Sequence, residues 1–254
     1  MPLIDTYRQL VGVCGDLRVT LLADEDPTDS PSGTWLRIAD IAACPEALGA
    51  AIDGEAARIL ATHGRAARSD VVSSRLLHHY LWSAGLLISG PWYLGGVVPL
   101  LDPDRLWSDP ATGDFALAPG SSTATPDAAA VRASVELFVR PLLDAFQPRL
   151  RRGHHALWGM AGDDLVSGIW YLGRKLGDEE RAVRLATELL PGGDGRFPSG
   201  AAFRTLHGAA GRTHWTRTRT GCCLYYTLPA AEPCLTCPRT TDPERLRRLD
   251  GTTR

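Results

Sequence analysis

Four of the chain's six cysteines stand at spacings that could hold a metal centre. Cys222, Cys223, Cys234 and Cys237 fall within sixteen residues, in the pattern C-C-x10-C-x2-C. In a reducing compartment such crowding points to metal or redox chemistry rather than to structural disulfides. Three readings stay open on the residues alone. The first is a single structural zinc, for which Cys234-Leu235-Thr236-Cys237 has the right two-residue gap. Cys222-Cys223 suits it poorly, because neighbouring side chains of an extended segment point to opposite faces. The second is a rhombic 2Fe–2S cluster, which needs two thiolates for each of two irons. Its wider rim can take an adjacent pair if the backbone turns there, which Gly221 would ease. The third is a vicinal disulfide or redox switch, and it leaves Cys234 and Cys237 unexplained. Residue chemistry leans toward the cluster over zinc. Cys14 and Cys44 stand alone and are expected to be inert.

The run RTRTGCCLYYTLPAAEPCLTCP, residues 217–238, resembles the C-terminal cluster-binding segment of ferric-siderophore reductases of the FhuF type. That family carries C-C-x10-C-x2-C near its C-terminus, after an Arg-rich approach. The resemblance covers about residues 212–238. More loosely, His154 to Gly168 (HHALWGMAGDDLVSG) is similar to the family's siderophore-handling region. The departure is Leu235-Thr236 between the last two cysteines, where many members have small or acidic residues. The resemblance implies Cys222, Cys223, Cys234 and Cys237 as ligands of a 2Fe–2S cluster. It also implies one-electron reduction of siderophore-bound Fe(III) to Fe(II), with release of the iron. Hydroxamate and catecholate oxygens are hard ligands that favour Fe(III), so reduction weakens the complex. No catalytic group apart from the cluster is expected.

Arg217 and Arg219 near the ligands would stabilise the extra negative charge of a reduced cluster and raise its potential. Arg212, His214, Arg217 and Arg219, with Arg204 and His207, are candidates for attracting an anionic ferric siderophore. The plainer reading, preferred for most of them, is a solvated strand face with ordinary salt bridges. His78-His79 and His154-His155 are adjacent pairs, without the i, i+4 spacing that turns two imidazoles to one helical face. Asp163-Asp164 reads as helix-surface carboxylates or a local cap, and Trp158, Trp170 and Tyr171 as core. There is no G-x-x-x-x-G-K-[ST], G-x-G-x-x-G or G-x-S-x-G, so electrons are expected from an external donor such as a ferredoxin or flavoprotein. A zinc- or cluster-dependent regulatory protein binding nucleic acid through the Arg-rich tail is the alternative. A siderophore-binding protein without turnover is another.

The elements that must position these residues are mostly helical. Apolar periodicity predicts helices over about 45–63, 69–88, 127–146, 155–176 and 178–190. Pro45 suits a first turn, and Asp178 an N-cap. Pro191-Gly192-Gly193 suits a stop. The start of the chain, 5–22, reads as helix then strand, and 23–33 as a polar loop. Short strands or a hairpin are expected around 110–113. Trp215 to Thr220 alternates with period two and reads as a strand, and Leu224 to Leu228 is β-like. The expected class is α+β: a mainly helical body, 1–195, and a basic C-terminal region, 196–254, with the cluster segment at 212–238. The net charge of −2 hides this division, since residues 196–254 carry +6 and the body −8. A near-neutral total argues against a general nucleic-acid coat. The chain's start does not resemble a secretory leader, and the apolar run around 81–98 is broken by Ser, Gly and Pro. A cytoplasmic location and no membrane span are therefore expected.

Overall fold

The computed structural model describes residues 2–22, 31–190, 197–198 and 202–251. Most of loop 23–33, the Pro191-Gly192-Gly193 stop and the expected division at 195/196 lie outside the described residues. The protein is α+β and mainly helical. In chain order the larger elements are α1 (Leu3–Val13), β1 (Val19–Leu21), β2 (Leu36–Arg37), α2 (Ile38–Ala43), α3 (Pro45–His63) and α4 (Ser69–Gly95). There follow β3 (Leu106–Ser108), β4 (Phe115–Leu117), α5 (Ala128–Phe146), α6 (His154–Leu176) and α7 (Glu179–Leu189). Next come β5 (Arg204–His207), β6 (Thr213–Thr216) and α8 (Asp242–Gly251).

Helix α4 is the central post. It is buried on nearly every side, as expected of a helix without a polar face. It continues past the expected stop near 88, because Ser89, Gly90 and Pro91 are buried inside the core rather than exposed in a loop. Leu10 of α1 packs so closely on Gly90 that any Cβ there would overlap it. Helices α4 and α6 lie side by side in the same direction, with His78 meeting Asp164 and Tyr93 meeting Asp178. Small residues permit this approach: a Cβ on Gly85 would stand 3.2 Å from the Leu165 Cα. That packing places polar residues of α4 against those of α6.

Around this pair, α1, α3 and α5 complete the core, and α7 packs on α6. A four-stranded sheet in the order β1-β4-β3-β2 flanks them, with β1 and β4 parallel and the other pairs antiparallel. The β3–β4 connection is the expected hairpin, pinned to α4 by the His79 Nε2 contact with the Gly113 carbonyl at 2.7 Å. Asp127 caps α5 by accepting from the Ala130 N–H at 2.7 Å. Asp178 occupies the N-cap position of α7, yet its side chain makes no capping bond and stands 4.0 Å from Arg181 instead. Among the described residues no helix is long and apolar enough to cross a membrane.

The C-terminal region departs most from expectation. Strands β5 and β6 pair antiparallel, but β6 ends at Thr216 rather than Thr220. Beyond that point Arg217 and Arg219 turn inward to meet α6. Residues Tyr225–Thr227 form a 3-10 turn, not a strand. Helix α8 was not anticipated; its charged face and mean hydropathy are those of a helix lying on the surface.

Candidate metal centre

Cys222, Cys223, Cys234 and Cys237 line one small cavity, together with Arg219, Tyr225 and Tyr226. Cys223 and Cys237 are buried, Cys222 is half-buried and Cys234 is exposed. The cavity thus has an inner side against the helical body and an outer side toward solvent. Among the described residues, no three His, Cys, Asp or Glu side chains form a group around a single-ion position.

Local backbone geometry explains how two adjacent cysteines reach one cavity. Gly221 is fixed first: its N–H donates to Asp163 Oδ2 at 2.7 Å, and a Cβ there would stand 3.3 Å from the Met160 Cα. Gly221 therefore serves close approach to α6 rather than the turn. The turn itself falls at Leu224, whose φ of +63° is in the left-handed region, immediately after the cysteine pair. The Thr227 N–H then closes on the Leu224 carbonyl at 2.9 Å. At the second pair the Cys237 N–H donates to the Cys234 carbonyl at 3.0 Å, and the Arg219 N–H donates to the Thr236 carbonyl at 2.9 Å. Arg245 of α8 holds the same loop from behind, donating to the carbonyls of Leu235 at 2.7 Å and Cys237 at 3.0 Å.

Two buried ion pairs join this segment to α6. Arg217 Nη1 donates to Asp163 Oδ1 at 2.7 Å and Arg219 contacts Asp164. Asp163 is fully engaged: its second oxygen accepts from Thr220 Oγ1 at 3.0 Å as well as from Gly221. Asp164 also meets His78 Nδ1 at 2.8 Å. Burial alone would raise the Asp164 carboxyl, but Arg219 and His78 outweigh it and hold it below its ordinary range. Burial likewise pulls Arg219 down, and the carboxylates of Asp164 and Asp163 more than reverse this. Burial lowers His78, against the pull of Asp164.

These findings move several expected residues. Arg217 and Arg219 are not on a solvent face: they are 0% and 6% exposed, each neutralised by an aspartate. A buried carboxylate needs a counter-charge, and Asp163 and Asp164, which read as surface groups in the sequence, are fully internal. Arg212 and His214 are half-buried and bind Asp250 of α8 at 3.0 and 2.9 Å. Tyr171 is half-buried at the edge of the core, whereas Trp158 and Trp170 are core as expected. Cys14 is buried in the main core, where desolvation pushes its thiol up to about 11. The Cys44 thiol donates to Glu46 at 3.0 Å. Neither lines the cavity.

Sequence reasoning missed Arg75 and Arg245, and weighed His78 only as half of an adjacent histidine pair. Arg75 of α4 donates through Nη1 to Cys223 Sγ at 3.3 Å. Its only sequence signal is a cation in a helix whose other residues are mostly apolar. The Asp pair carried a clearer one, sitting inside MAGDDLV with apolar neighbours on both sides.

Residues 219–239 match the family model of the FhuF 2Fe–2S C-terminal domain. The match contains all four clustered cysteines and Arg219 at its first position. Compared with curated protein sequences, the chain has no match. The segment is therefore one that binds a 2Fe–2S cluster, and the residues present suit that group. Four thiols line one cavity, with no His, Asp or Glu among its lining residues. Burial raises the thiols of Cys222 and Cys234, and nearby thiols add to this, so free thiolates are disfavoured there without a metal centre to take their charge.

Proposed function

We propose that the protein is a cytoplasmic ferric-siderophore reductase. In this reading Cys222, Cys223, Cys234 and Cys237 hold the 2Fe–2S cluster, which supplies a one-electron couple. The substrate is Fe(III) inside an oxygen-donor siderophore, and reduction to Fe(II) weakens its hold because hard oxygen ligands favour Fe(III). The observation that carries the reading is the family match at 219–239, with its four cysteines around one cavity.

The chain's own residues have definable tasks. Asp163 and Asp164 anchor the segment through Arg217 and Arg219 and close the inner side to water. Arg245 fixes the Cys234–Cys237 loop. Exposed Cys234 marks the outer edge, where a ferric siderophore and an external donor protein such as a ferredoxin or flavoprotein would approach. Arg217 and Arg219 support that edge from within instead of contacting the siderophore. Arg212 and His214 are partly exposed but already engaged by Asp250.

The test is anaerobic purification with iron, sulfide and zinc assays and an absorption spectrum. The expected protein is reddish-brown, with about two irons and two sulfides per chain. A colourless protein with one zinc per chain contradicts the reading and points instead to the regulatory alternative. Tight ferric-siderophore binding without reoxidation of the reduced protein would identify a binding protein without turnover.

A further inference from the structure

We propose that Arg75 of α4, rather than the arginines of the cysteine segment, is the positioning residue that raises the reduction potential of the iron–sulfur centre. The inference rests on the cysteine ligation proposed above. Arg75 lies 148 residues before Cys223 in the chain, yet its Nη1 donates to the Cys223 sulfur at 3.3 Å. Its guanidinium carbon lies 4.7 Å from the Tyr225 ring centroid, so the side chain is clamped between a ring and a sulfur of the same segment.

The other cations near the cavity are either paired with a carboxylate or, like Arg239 over the Tyr226 ring, exposed to solvent that screens them. Arg217 is paired with Asp163, Arg219 with Asp164 and Arg245 with Asp242. Each such pair acts as a dipole whose two ends partly cancel, even for Arg219, which lines the cavity with Asp164 behind it. Arg75 is half-buried and has no carboxylate within ion-pair distance among the described residues. A cation in that position without an acidic partner finds its counter-charge in the thiolates. Reduction of the centre adds one negative charge. An uncompensated guanidinium bonded to a ligand sulfur favours that form, through its charge and through the hydrogen bond. Arg217 and Arg219, which the sequence suggested for this task, hold the segment in place.

The experiment compares the full chain with Arg75→Gln and Arg75→Lys, purified anaerobically. Iron and sulfide are assayed per chain, and the midpoint potential is read from dye equilibria. The glutamine variant is expected to hold as much iron and sulfide as the parent. At a fixed potential its reduced-to-oxidised ratio should fall about tenfold, equivalent to about 59 mV for one electron. The lysine variant, keeping the charge, should stay within about threefold of the parent. If the glutamine variant loses the cluster and the lysine variant keeps it, the lysine variant decides: a ratio within about threefold of the parent supports the role of the charge, and a fall of about tenfold overturns it. A loaded glutamine variant at the parent potential overturns the inference, as does a lysine variant as low as glutamine. Loss of the cluster in both variants assigns Arg75 a merely structural role and overturns it too. A parent chain without iron and sulfide overturns the proposed function instead.

Discussion

Two sets of ion pairs hold the C-terminal region, and burial separates them. Toward α6, the partners of Arg217–Asp163 and Arg219–Asp164 are all 6% exposed or less. Toward α8, Arg204 pairs with Asp242, and Arg212 and His214 pair with Asp250, with side chains 15–43% exposed. The arginines come from one stretch of chain and meet the same type of carboxylate. Water decides what each set is worth. Removing one member of a buried pair strands the other charge in a dry place, whereas an exposed pair exchanges a neighbour for solvent. The inner set is therefore an anchor on which the cysteine loop depends, and the outer set trims the surface.

The widest break in this comparison comes from Asp163→Ala. It strands Arg217 and frees the Gly221 N–H, so unfolding free energy should drop by about 3–5 kcal/mol. Urea denaturation measures this, and bound iron should fall with it. A loss under about 1 kcal/mol would make the inner set equivalent to the outer one.

Cysteine replacement sharpens the same division at less cost to the fold. Cys222→Ser or Cys237→Ser should abolish the visible absorption of the purified protein, and Cys14→Ser and Cys44→Ser should leave it intact. Bleaching by either of the latter two would show that the ligands are misassigned.

A smaller effect concerns pH. Burial holds both His78, behind the inner set, and its neighbour His79 below the ordinary imidazole value of 6.5, with His79 at about 4. Between pH 6.5 and about 4 the unfolded chain binds a proton that folded His79 refuses, and His78 acts in the same sense, so stability falls as the pH falls through that window. Asp164 acts in the same sense at lower pH, where its depressed carboxyl finally protonates. Urea midpoints at pH 7 and pH 5 should differ in the parent, and the difference should shrink in His79→Asn. An unchanged difference would place the titration elsewhere.

The smallest effect belongs to the outer set. Arg204→Ala should cost about 0–1 kcal/mol, less in high salt, with cluster content unchanged.

The helical body was legible because its signals are local. Pro45 and Gly64 bound α3, and the stripe of Val131, Val135, Phe138 and Leu142 builds α5. The cysteine motif was legible because its spacing is specific. What stayed hidden depends on pairing across the chain. Period-two alternation over 215–220 looked like a continuing strand, but the buried carboxylates of α6 draw Arg217 and Arg219 out of it after Thr216. Asp163 and Asp164 looked external because their partners lie more than fifty residues away. Arg75 gave no signal tying it to Cys223, and α8 has too little apolar surface for its periodicity to register.

The most direct test of the account mixes the anaerobically reduced protein with a ferric hydroxamate, and separately a ferric catecholate, in the presence of a ferrous-specific chelator. The visible spectrum should return to the oxidised form as one Fe(II) is trapped per cluster reoxidised, as a one-electron couple requires. A cluster that stays reduced under excess of both chelates, with no Fe(II) trapped, would contradict it.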